Sequence, residues 1–250
     1  MPASTEYTES FYSNLAEGSG PSAAVIVPLL LDVLDVLSVL DVGCGVGDWL
    51  ASFVAAGVDD VIGVDSENVP AHLLRIPVEK VQRTDLARPF DLGRRFDLAI
   101  SVEVAEHLPE SSAAGFVASI SEHADLVLFS AAVPGQGGTG HVNERWPSYW
   151  AQRFAEHGYV ALDVLRPLIW ERDDVMYWYA QNCLLYARGA ALEALGDVGR
   201  WEPRLLDVVH PALWSRPPEP LGLRGLVHQV PGVAAETVAH YRRRLSDRRG

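Results

Sequence analysis

The chain has 250 residues, of which 33 are acidic and 20 basic, so that its formal net charge is −13. Residues 1–74 carry 11 of the acids and no Lys or Arg, which argues against a protein that follows nucleic-acid backbones with clustered positive charge. An apolar fraction of 48% and a charged fraction of 21% are those of a globular protein long enough for one α/β domain with an appendage.

The chain shows no sign of a disulfide framework or of a membrane segment. Cys44 and Cys183 are too few for such a framework and lack the spacing of metal ligands. The N-terminus has no basic segment typical of a signal peptide, and the most apolar stretch, residues 25–40, is interrupted by Pro28 and two acids. We therefore expect a cytoplasmic protein that does not contact a membrane.

Strand and helix signals alternate through most of the chain. A helix is predicted over residues 22–37, and a buried strand follows over residues 38–42. Strands separated by helices of about a dozen residues indicate βαβ units and therefore a parallel sheet. The further predicted elements are a helix over 46–56, strands over 61–64, 78–81 and 96–102, a helix over 109–123, a strand over 126–132, a helix over 147–157, and strands over 159–165 and 176–187.

The composition changes near residue 190. The following segment is rich in proline around residues 217–220, has a predicted helix over 234–245 and ends in several arginines. We therefore expect a main domain over residues 1–190 and a helical C-terminal appendage over residues 191–250. The positive charge of the C-terminal arginines can offset the negative charge of residues 1–74, either within one chain or across a homodimer.

A glycine loop joins the first predicted strand to the next helix. Its sequence from Asp41 to Asp48 is Asp-Val-Gly-Cys-Gly-Val-Gly-Asp. Glycines lack a Cβ atom and so let a ligand approach the backbone at a helix N-terminus. The dinucleotide fingerprint needs Gly or Ala at position 48, and Asp48 would repel a pyrophosphate there. The loop therefore predicts a cationic or zwitterionic ligand.

Two more carboxylates follow the next two strands. Asp65 ends the second strand, where it can accept the hydroxyls of a ribose, and Asp85 follows the third, where it can meet an adenine amino group. A single Asp at such a place is typical of a turn. Acids at the ends of successive strands beside a glycine loop instead indicate one ligand crevice.

The motifs over residues 41–47, 63–65, 84–86 and 96–108 together resemble the class I S-adenosylmethionine-dependent methyltransferases, over about residues 20–190. The resemblance implies a Rossmann-like sheet of seven mostly parallel strands, with helices on both faces and an antiparallel last strand. It implies S-adenosylmethionine as cofactor and S-adenosylhomocysteine as product. The cofactor-binding residues that we expect are Asp41, Gly43, Cys44, Gly45, Gly47, Asp65, Ser66, Asp85, Leu86, Val102, Glu103 and His107.

Methyl transfer is an in-line displacement, in which the protein supplies alignment and, for a protonated acceptor, a base. His107 and His141 follow the fourth and fifth strands, where such a base is expected; His107 can instead be a helix-entry residue. His141 is the stronger candidate, although it can also serve only to hold its loop together with Asn143. The predicted acceptor-binding residues are Tyr12, which would lie on a flap or a disordered tail over residues 1–20, and Gln136, His141, Asn143, Arg145 and Trp146. We expect no metal site, because the histidines and nearby acids lack a recognisable ligand pattern.

The leading functional prediction is methyl transfer to an oxygen or nitrogen of a small molecule, either a secondary metabolite or a sugar. An NAD(P)-dependent oxidoreductase or epimerase is disfavoured by Asp48. Methylation of nucleic acid is disfavoured by the charge and by Ser101-Val-Glu-Val, where amino-base methyltransferases carry Asn or Asp, two prolines and an aromatic residue. A catalytically silent cofactor-binding subunit stays open. One lysine against 19 arginines is compatible with a bacterial source of high GC content.

Overall fold

The computed structural model describes residues 9–65, 69–197, 201 and 203–215, with side chains from residue 18 onward. The strands are β1 (Ser38–Val42), β2 (Asp60–Asp65), β3 (Val81–Arg83), β4 (Leu98–Val102), β5 (Leu126–Ser130), β6 (Val160–Leu162) and β7 (Leu184–Ala187). These seven strands form one sheet in the order β3-β2-β1-β4-β5-β7-β6. All neighbouring strands run parallel except β7, which is antiparallel to β5 and to β6. The predicted seven-stranded, mostly parallel sheet with an antiparallel last strand is thus confirmed.

Helices cover both faces of the sheet, as the sequence predicts. They are α1 (Glu9–Leu31), α2 (Asp48–Ala55), α3 (Ala113–His123), α4 (Pro147–Ala155), α5 (Arg166–Ile169), α6 (Tyr177–Asn182), α7 (Gly189–Ala194) and α8 (Pro211–Trp214). One apolar core joins α1 and α2 to alternate strand residues such as Val39 and Leu98, and the other joins α3 and α4 to the adjacent strand residues Leu40 and Ala99. This alternation follows from the pleat of a strand, which sends successive side chains to opposite faces.

Several predicted boundaries move. Helix α1 begins at Glu9 rather than near residue 22, and it ends at Leu31, where the amides of residues 33 and 34 both turn back onto the Leu30 carbonyl. The third strand was predicted over 78–81, but residues 78–80 form a 3-10 turn and β3 follows it. Helix α3 begins at Ala113, because a separate 3-10 turn over residues 110–112 follows Pro109.

The prediction of a strand over residues 176–187 is wrong in its first half. Residues 177–182 form the short helix α6, and β7 begins only at Leu184. The run Tyr177-Trp178-Tyr179 favours a strand by its aromatic propensity, but such propensity yields to tertiary packing. Here the packing is polar, because the helix turns the amides of Gln181 and Asn182 into the protein interior.

By its contacts the chain divides into two compact units, residues 1–213 and residues 214–250. The expected boundary at residue 190 therefore falls within the first unit. Buried Arg166 shows how the chain beyond residue 190 is attached: its guanidinium pairs with Asp163 and donates to the carbonyls of Leu205 and Leu206, each at 2.9 Å. The predicted helix over 234–245 lies outside the described residues. Within the described part of the chain, no helix is long and apolar enough to cross a bilayer.

Candidate active site

The parallel strands bring the ends of β1, β2, β4 and β5 to one edge of the sheet, and the glycine loop follows the first of these ends. Gly43, Gly45 and Gly47 all have positive φ values, of 89°, 51° and 86°. A Cβ on Gly43 would lie 2.3 Å from Cγ2 of Val104, so this glycine permits close packing of the segment after β4. A Cβ on Gly45 would meet nothing within 4 Å. The loop therefore presents open backbone at the start of α2.

Three carboxylates surround this loop. Asp41 is 1% exposed at the end of β1, Asp48 is the first residue of α2, and Asp65 accepts a 2.6 Å hydrogen bond from the Gly45 amide. Burial raises the pKa of Asp41 well above its ordinary value, and the negative charges of Asp65 and Asp48 raise it further. Oδ2 of Asp41 is buried and has no hydrogen-bond partner in the described part of the chain. A positively charged ligand would satisfy this acidic pocket, and the ammonium and sulfonium groups of S-adenosylmethionine fit that requirement.

Helix α1 closes the loop from one side. Ser19 Oγ donates a 2.5 Å hydrogen bond to Asp48, and the amide of Met176 donates to Ser22 Oγ at 3.0 Å. A Cβ on Gly18 would lie 2.8 Å from the end of the Met176 side chain. Residues 18–22, in the middle of α1, are therefore packed against both α2 and the segment before α6. Of the predicted contacts in this region, Tyr12 lies on α1 outside the described side chains, and Ser66 lies outside the described residues.

Asp85, predicted beside the adenine, and the predicted cofactor contacts Leu86 and Val102 have ordinary structural surroundings. The Asp85 side chain is 62% exposed and lies 3.5 Å from Arg88 Nε, and its carboxylate accepts the Ala87 amide at 3.0 Å. This is the arrangement of a turn former. Leu86 and Val102 are buried, each in one of the two cores. Their contacts with a cofactor stay predictions.

A buried polar network follows β4. Glu103 is the one non-glycine residue of the described chain with a positive φ, 55°. Its carboxylate accepts hydrogen bonds from Gln136 Nε2 at 2.8 Å and from Asn182 Nδ2 at 3.0 Å. Gln181 donates to Gln136 Oε1 and to Asn182 Oδ1. Burial raises the pKa of Glu103, and the amide donors oppose that effect. Gln136 was predicted as an acceptor contact, and in the structure it is buried and orders this network.

His141 is held by a carboxylate of its own loop. Its Nδ1 lies 2.9 Å from Glu144 Oε1, and the same carboxylate accepts the amides of Gly135 and Gly137, both at 2.8 Å. Because Glu144 accepts from Nδ1–H, the lone pair of the neutral imidazole is on Nε2. The loop after β5 thus presents one oriented histidine nitrogen.

Glu106 lies opposite that nitrogen. It is 0% exposed, and its Oε1 is 4.0 Å from His141 Nε2. Its backbone carbonyl accepts the amides of Val142 and Asn143, which ties the loop after β5 to the segment after β4. Neither carboxyl oxygen accepts a hydrogen bond of normal geometry within the described chain. Glu106 is not among the site residues predicted from the sequence, although its position within Glu-Val-Ala-Glu-His is a signal that could have identified it.

His107 completes this group. Its ring lies edge-on to that of His141, with 4.9 Å between the ring centres. Burial, together with the neighbouring His141, lowers the pKa of His107 to about 4, while a hydrogen bond to the backbone of Gly140 acts in the opposite direction. Burial, followed by the charge of Glu103, raises the pKa of Glu106 well above its ordinary value. With a pKa of about 4, His107 is neutral at neutral pH.

The remaining predicted acceptor residues follow His141 in the same loop. Asn143 is buried and accepts a hydrogen bond from Arg145 Nε at 3.0 Å, and Arg145 also pairs with Glu110 at 2.6 Å. Trp146 is 38% exposed. Glu144, Arg145 and Trp146 line an open cavity of about 490 Å³. Two of the predicted acceptor contacts thus share one surface cavity next to the His141 loop.

Comparison with known proteins identifies the family. The model of a family described as a methyltransferase domain matches residues 15–171, which is more than half of the chain. No curated protein matches the chain. Three solved structures show the same fold at under 20% identity. DesVI of Streptomyces venezuelae has 18% identity and a TM-score of 0.54, and the match covers 72% of this chain and 96% of DesVI. CalS10 of Micromonospora echinaspora, an amino pentose methyltransferase, has 17% identity and a TM-score of 0.53, with 73% of this chain and 98% of CalS10 covered. The magnesium protoporphyrin IX methyltransferase of Synechocystis has 18% identity and a TM-score of 0.50, with 75% of this chain and 90% of that enzyme covered. On the family match, with the fold in agreement, the chain belongs to the methyltransferase-domain family.

Proposed function

We propose that this methyltransferase transfers the methyl group of S-adenosylmethionine to an oxygen or nitrogen atom of a small molecule, with a secondary metabolite or a sugar as the acceptor class. The observation that carries the cofactor part is the open backbone of Gly45 beside the buried, unpartnered Oδ2 of Asp41. A dinucleotide would bring its pyrophosphate to the N-terminus of α2, where Asp48 stands instead. The acidic loop favours the cationic cofactor.

The residues proposed to hold the cofactor lie along the edge of the sheet. The glycine loop would receive its amino-acid part, Asp65 its ribose and Asp85 its adenine. When bound, S-adenosylmethionine supplies an electrophilic methyl group on a positively charged sulfur. The protein's contribution is to align that methyl group with the acceptor and to exclude water, because displacement needs little further chemistry from the enzyme.

The acceptor is proposed to lie at the His141 loop, with Gln136, Asn143, Arg145 and Trp146 around it. His107 is a poor candidate for the base, because a group with a pKa of about 4 is too weak to take a proton efficiently at neutral pH. We therefore assign that role to His141. Nε2 of His141 can act on the acceptor directly or through a bound cation. In either case the acceptor lies beside His141. Only binding through a cation would also require the Glu106 carboxylate.

The acceptor class has support of a different kind. CalS10 is described as an amino pentose methyltransferase, and a sugar would suit an open cavity lined by Arg145, Trp146 and Glu144. The acidic charge of the chain supports the absence of a nucleic-acid partner. A cytoplasmic location, a bacterial source and a homodimer stay predictions.

Calorimetric titration with S-adenosylmethionine, S-adenosylhomocysteine and NAD tests the cofactor. We expect binding of the first two and none of NAD. In Gly45→Ala a methyl group would project into the proposed cofactor space, so affinity should fall at least tenfold. Gly57→Ala is the matched control, since Gly57 also has a positive φ, 95°, with nothing within 4 Å of a Cβ, but ends α2 rather than beginning it. Binding of NAD alone would overturn the proposal.

A further inference from the structure

Glu106 is a buried acid that lies among other titratable groups. Its carboxyl group is completely buried beside the Glu103 carboxyl and near the Ala132 amide, and neither oxygen accepts a hydrogen bond of normal geometry from the described residues. Burying a polar group without such partners is costly, and more so when the group is charged. The imidazoles of His107 and His141 lie close to the same carboxyl, and a cation shared by the three side chains would offset its burial.

The three side chains already stand close enough to share one ion. One ligand atom from each of Glu106, His107 and His141 lies within 4.8 Å of the others, and the Glu106 Oε1 to His141 Nε2 distance is 4.0 Å. Metal–ligand bonds of about 2.0–2.2 Å place neighbouring ligand atoms about 3–3.5 Å apart. The ligand atoms would therefore have to approach one another by at most about 1.3–1.8 Å to complete the site, a distance that side-chain rotations can supply.

Both histidines are oriented as metal-ligating histidines are. Such residues donate the second ring N–H to a carboxylate or a backbone carbonyl, which fixes the tautomer and directs the other nitrogen at the ion. His141 Nδ1 pairs with Glu144, and His107 hydrogen-bonds to the backbone of Gly140. Glu144 is itself fixed by two backbone amides.

We propose that Glu106, His107 and His141 bind a divalent first-row transition-metal ion at the acceptor side of the active site. Two imidazoles and one carboxylate suit ions such as Zn²⁺ and Mn²⁺ better than Mg²⁺, which prefers an all-oxygen shell. Three protein ligands leave coordination positions open for an acceptor or for water. The site has no recognisable spacing in the sequence, because Glu106 and His107 follow β4 whereas His141 lies in the loop after β5.

The ion gives the acceptor a chemical class, and this step rests on the proposed function. A divalent ion lowers the pKa of a hydroxyl bound to it, so that the proton is released to solvent. The oxygen then attacks the methyl carbon of the cofactor. The new O–C bond forms as the C–S bond breaks, and the products are a methyl ether and the neutral thioether S-adenosylhomocysteine. The metal site therefore favours an oxygen acceptor over an amine.

The test uses the full chain, freed of tags and stripped with a chelator, then titrated with Zn²⁺, Mn²⁺ and Mg²⁺ by calorimetry. We expect one Zn²⁺ or Mn²⁺ per chain, bound more tightly than Mg²⁺. Glu106→Gln and His141→Asn should each weaken that binding more than about 100-fold, beyond the 10–100-fold typical of residues that only orient a ligand. Glu106→Gln keeps the side-chain shape, so its thermal unfolding without metal should match that of the wild type.

His157→Asn is the matched control. The carbonyl of His157 accepts a hydrogen bond from Arg188, which also pairs with Asp125 just before β5, so this histidine lies at the opposite edge of the sheet. Its metal affinity should equal that of the wild type. The proposal is overturned if no ion binds, if Mg²⁺ binds most tightly, or if Glu106→Gln binds as well as the wild type; Glu106 would then be a buried neutral acid. Titration of the same samples with S-adenosylmethionine separates the two ideas, because failure there concerns the proposed function alone.

Discussion

Glu144 accepts a hydrogen bond from Nδ1 of His141 at 2.9 Å, and so decides which imidazole nitrogen faces the interior of the active site. Removing the imidazole should therefore affect the chemical step and spare the cofactor. We expect His141→Ala to lower methyl transfer about 10²–10⁴-fold, while its affinity for S-adenosylmethionine stays within twofold of the wild type. Incorporation of labelled methyl groups into a panel of hydroxylated and aminated sugars measures the first quantity. Near-normal turnover would remove His141 from the mechanism.

Gly43 and Gly45 have different reasons to be glycine. Alanine at either position must adopt a left-handed conformation, which costs about 1–2 kcal/mol. At Gly43 the new methyl group would also collide with Val104 at 2.3 Å, whereas at Gly45 it meets open space. We expect Gly43→Ala to lower the free energy of unfolding by at least about 1 kcal/mol more than Gly45→Ala does. Urea denaturation measures the difference, and Val104→Ala should restore part of the loss in the Gly43→Ala background. Equal losses would show that the collision is relieved by other means.

The acidic pocket predicts how stability depends on pH. Because the pKa of Asp41 is raised in the folded state, the folded protein holds this proton at pH values where the unfolded chain has released it. The free energy of unfolding should therefore fall as the pH rises above about 4, the ordinary pKa of aspartate. Asp41→Asn removes this term, so the variant without cofactor should be more stable than the wild type at pH 7 and equal to it near pH 3.5. Thermal unfolding of the wild type and of Asp41→Asn across this pH range measures the difference in stability. Asp35→Asn is the control, because Asp35 is exposed. A constant difference between the curves would contradict it.

Arg166 connects α5 to the chain beyond residue 190. The residue is 3% exposed, pairs with Asp163 and donates to two backbone carbonyls. Replacing it with methionine leaves these groups without a donor, and we expect a loss of about 3–5 kcal/mol in unfolding free energy. Residues 203–213 should then exchange their amide hydrogens faster.

Arg172→Met is the control for that prediction, because its pair with Asp174 is exposed to solvent. An exposed pair is screened by water and salt, so this change should leave the stability of the protein unaffected. Both variants are compared by urea denaturation and hydrogen exchange. Equal, small effects in the two variants would mean that Arg166 does not hold residues 203–213 against α5.

The sheet, and the glycine loop of the proposed cofactor site, could be predicted from the sequence. Strand and helix periods are local, and the glycine loop occupies eight consecutive residues from Asp41 to Asp48. Local patterns of this kind can be predicted from the sequence, because the residues involved are neighbours both in the chain and in the structure. They also predicted the antiparallel last strand, through the family that they resemble. The same local reading failed at residues 177–182, where aromatic side chains typical of a strand form a helix.

Only the tertiary structure brought Glu106 to His141, and Glu103 to Asn182. The partners in the first pair are 35 positions apart in the chain and those in the second are 79 apart. Each pair joins loops or elements that meet because β5 pairs with β4 on one side and with β7 on the other. No fixed sequence spacing predicts a contact between residues so far apart in the chain. The distance between the partners depends on strand pairing and on the two amides that bind the Glu106 carbonyl, and both exist only once the sheet has formed.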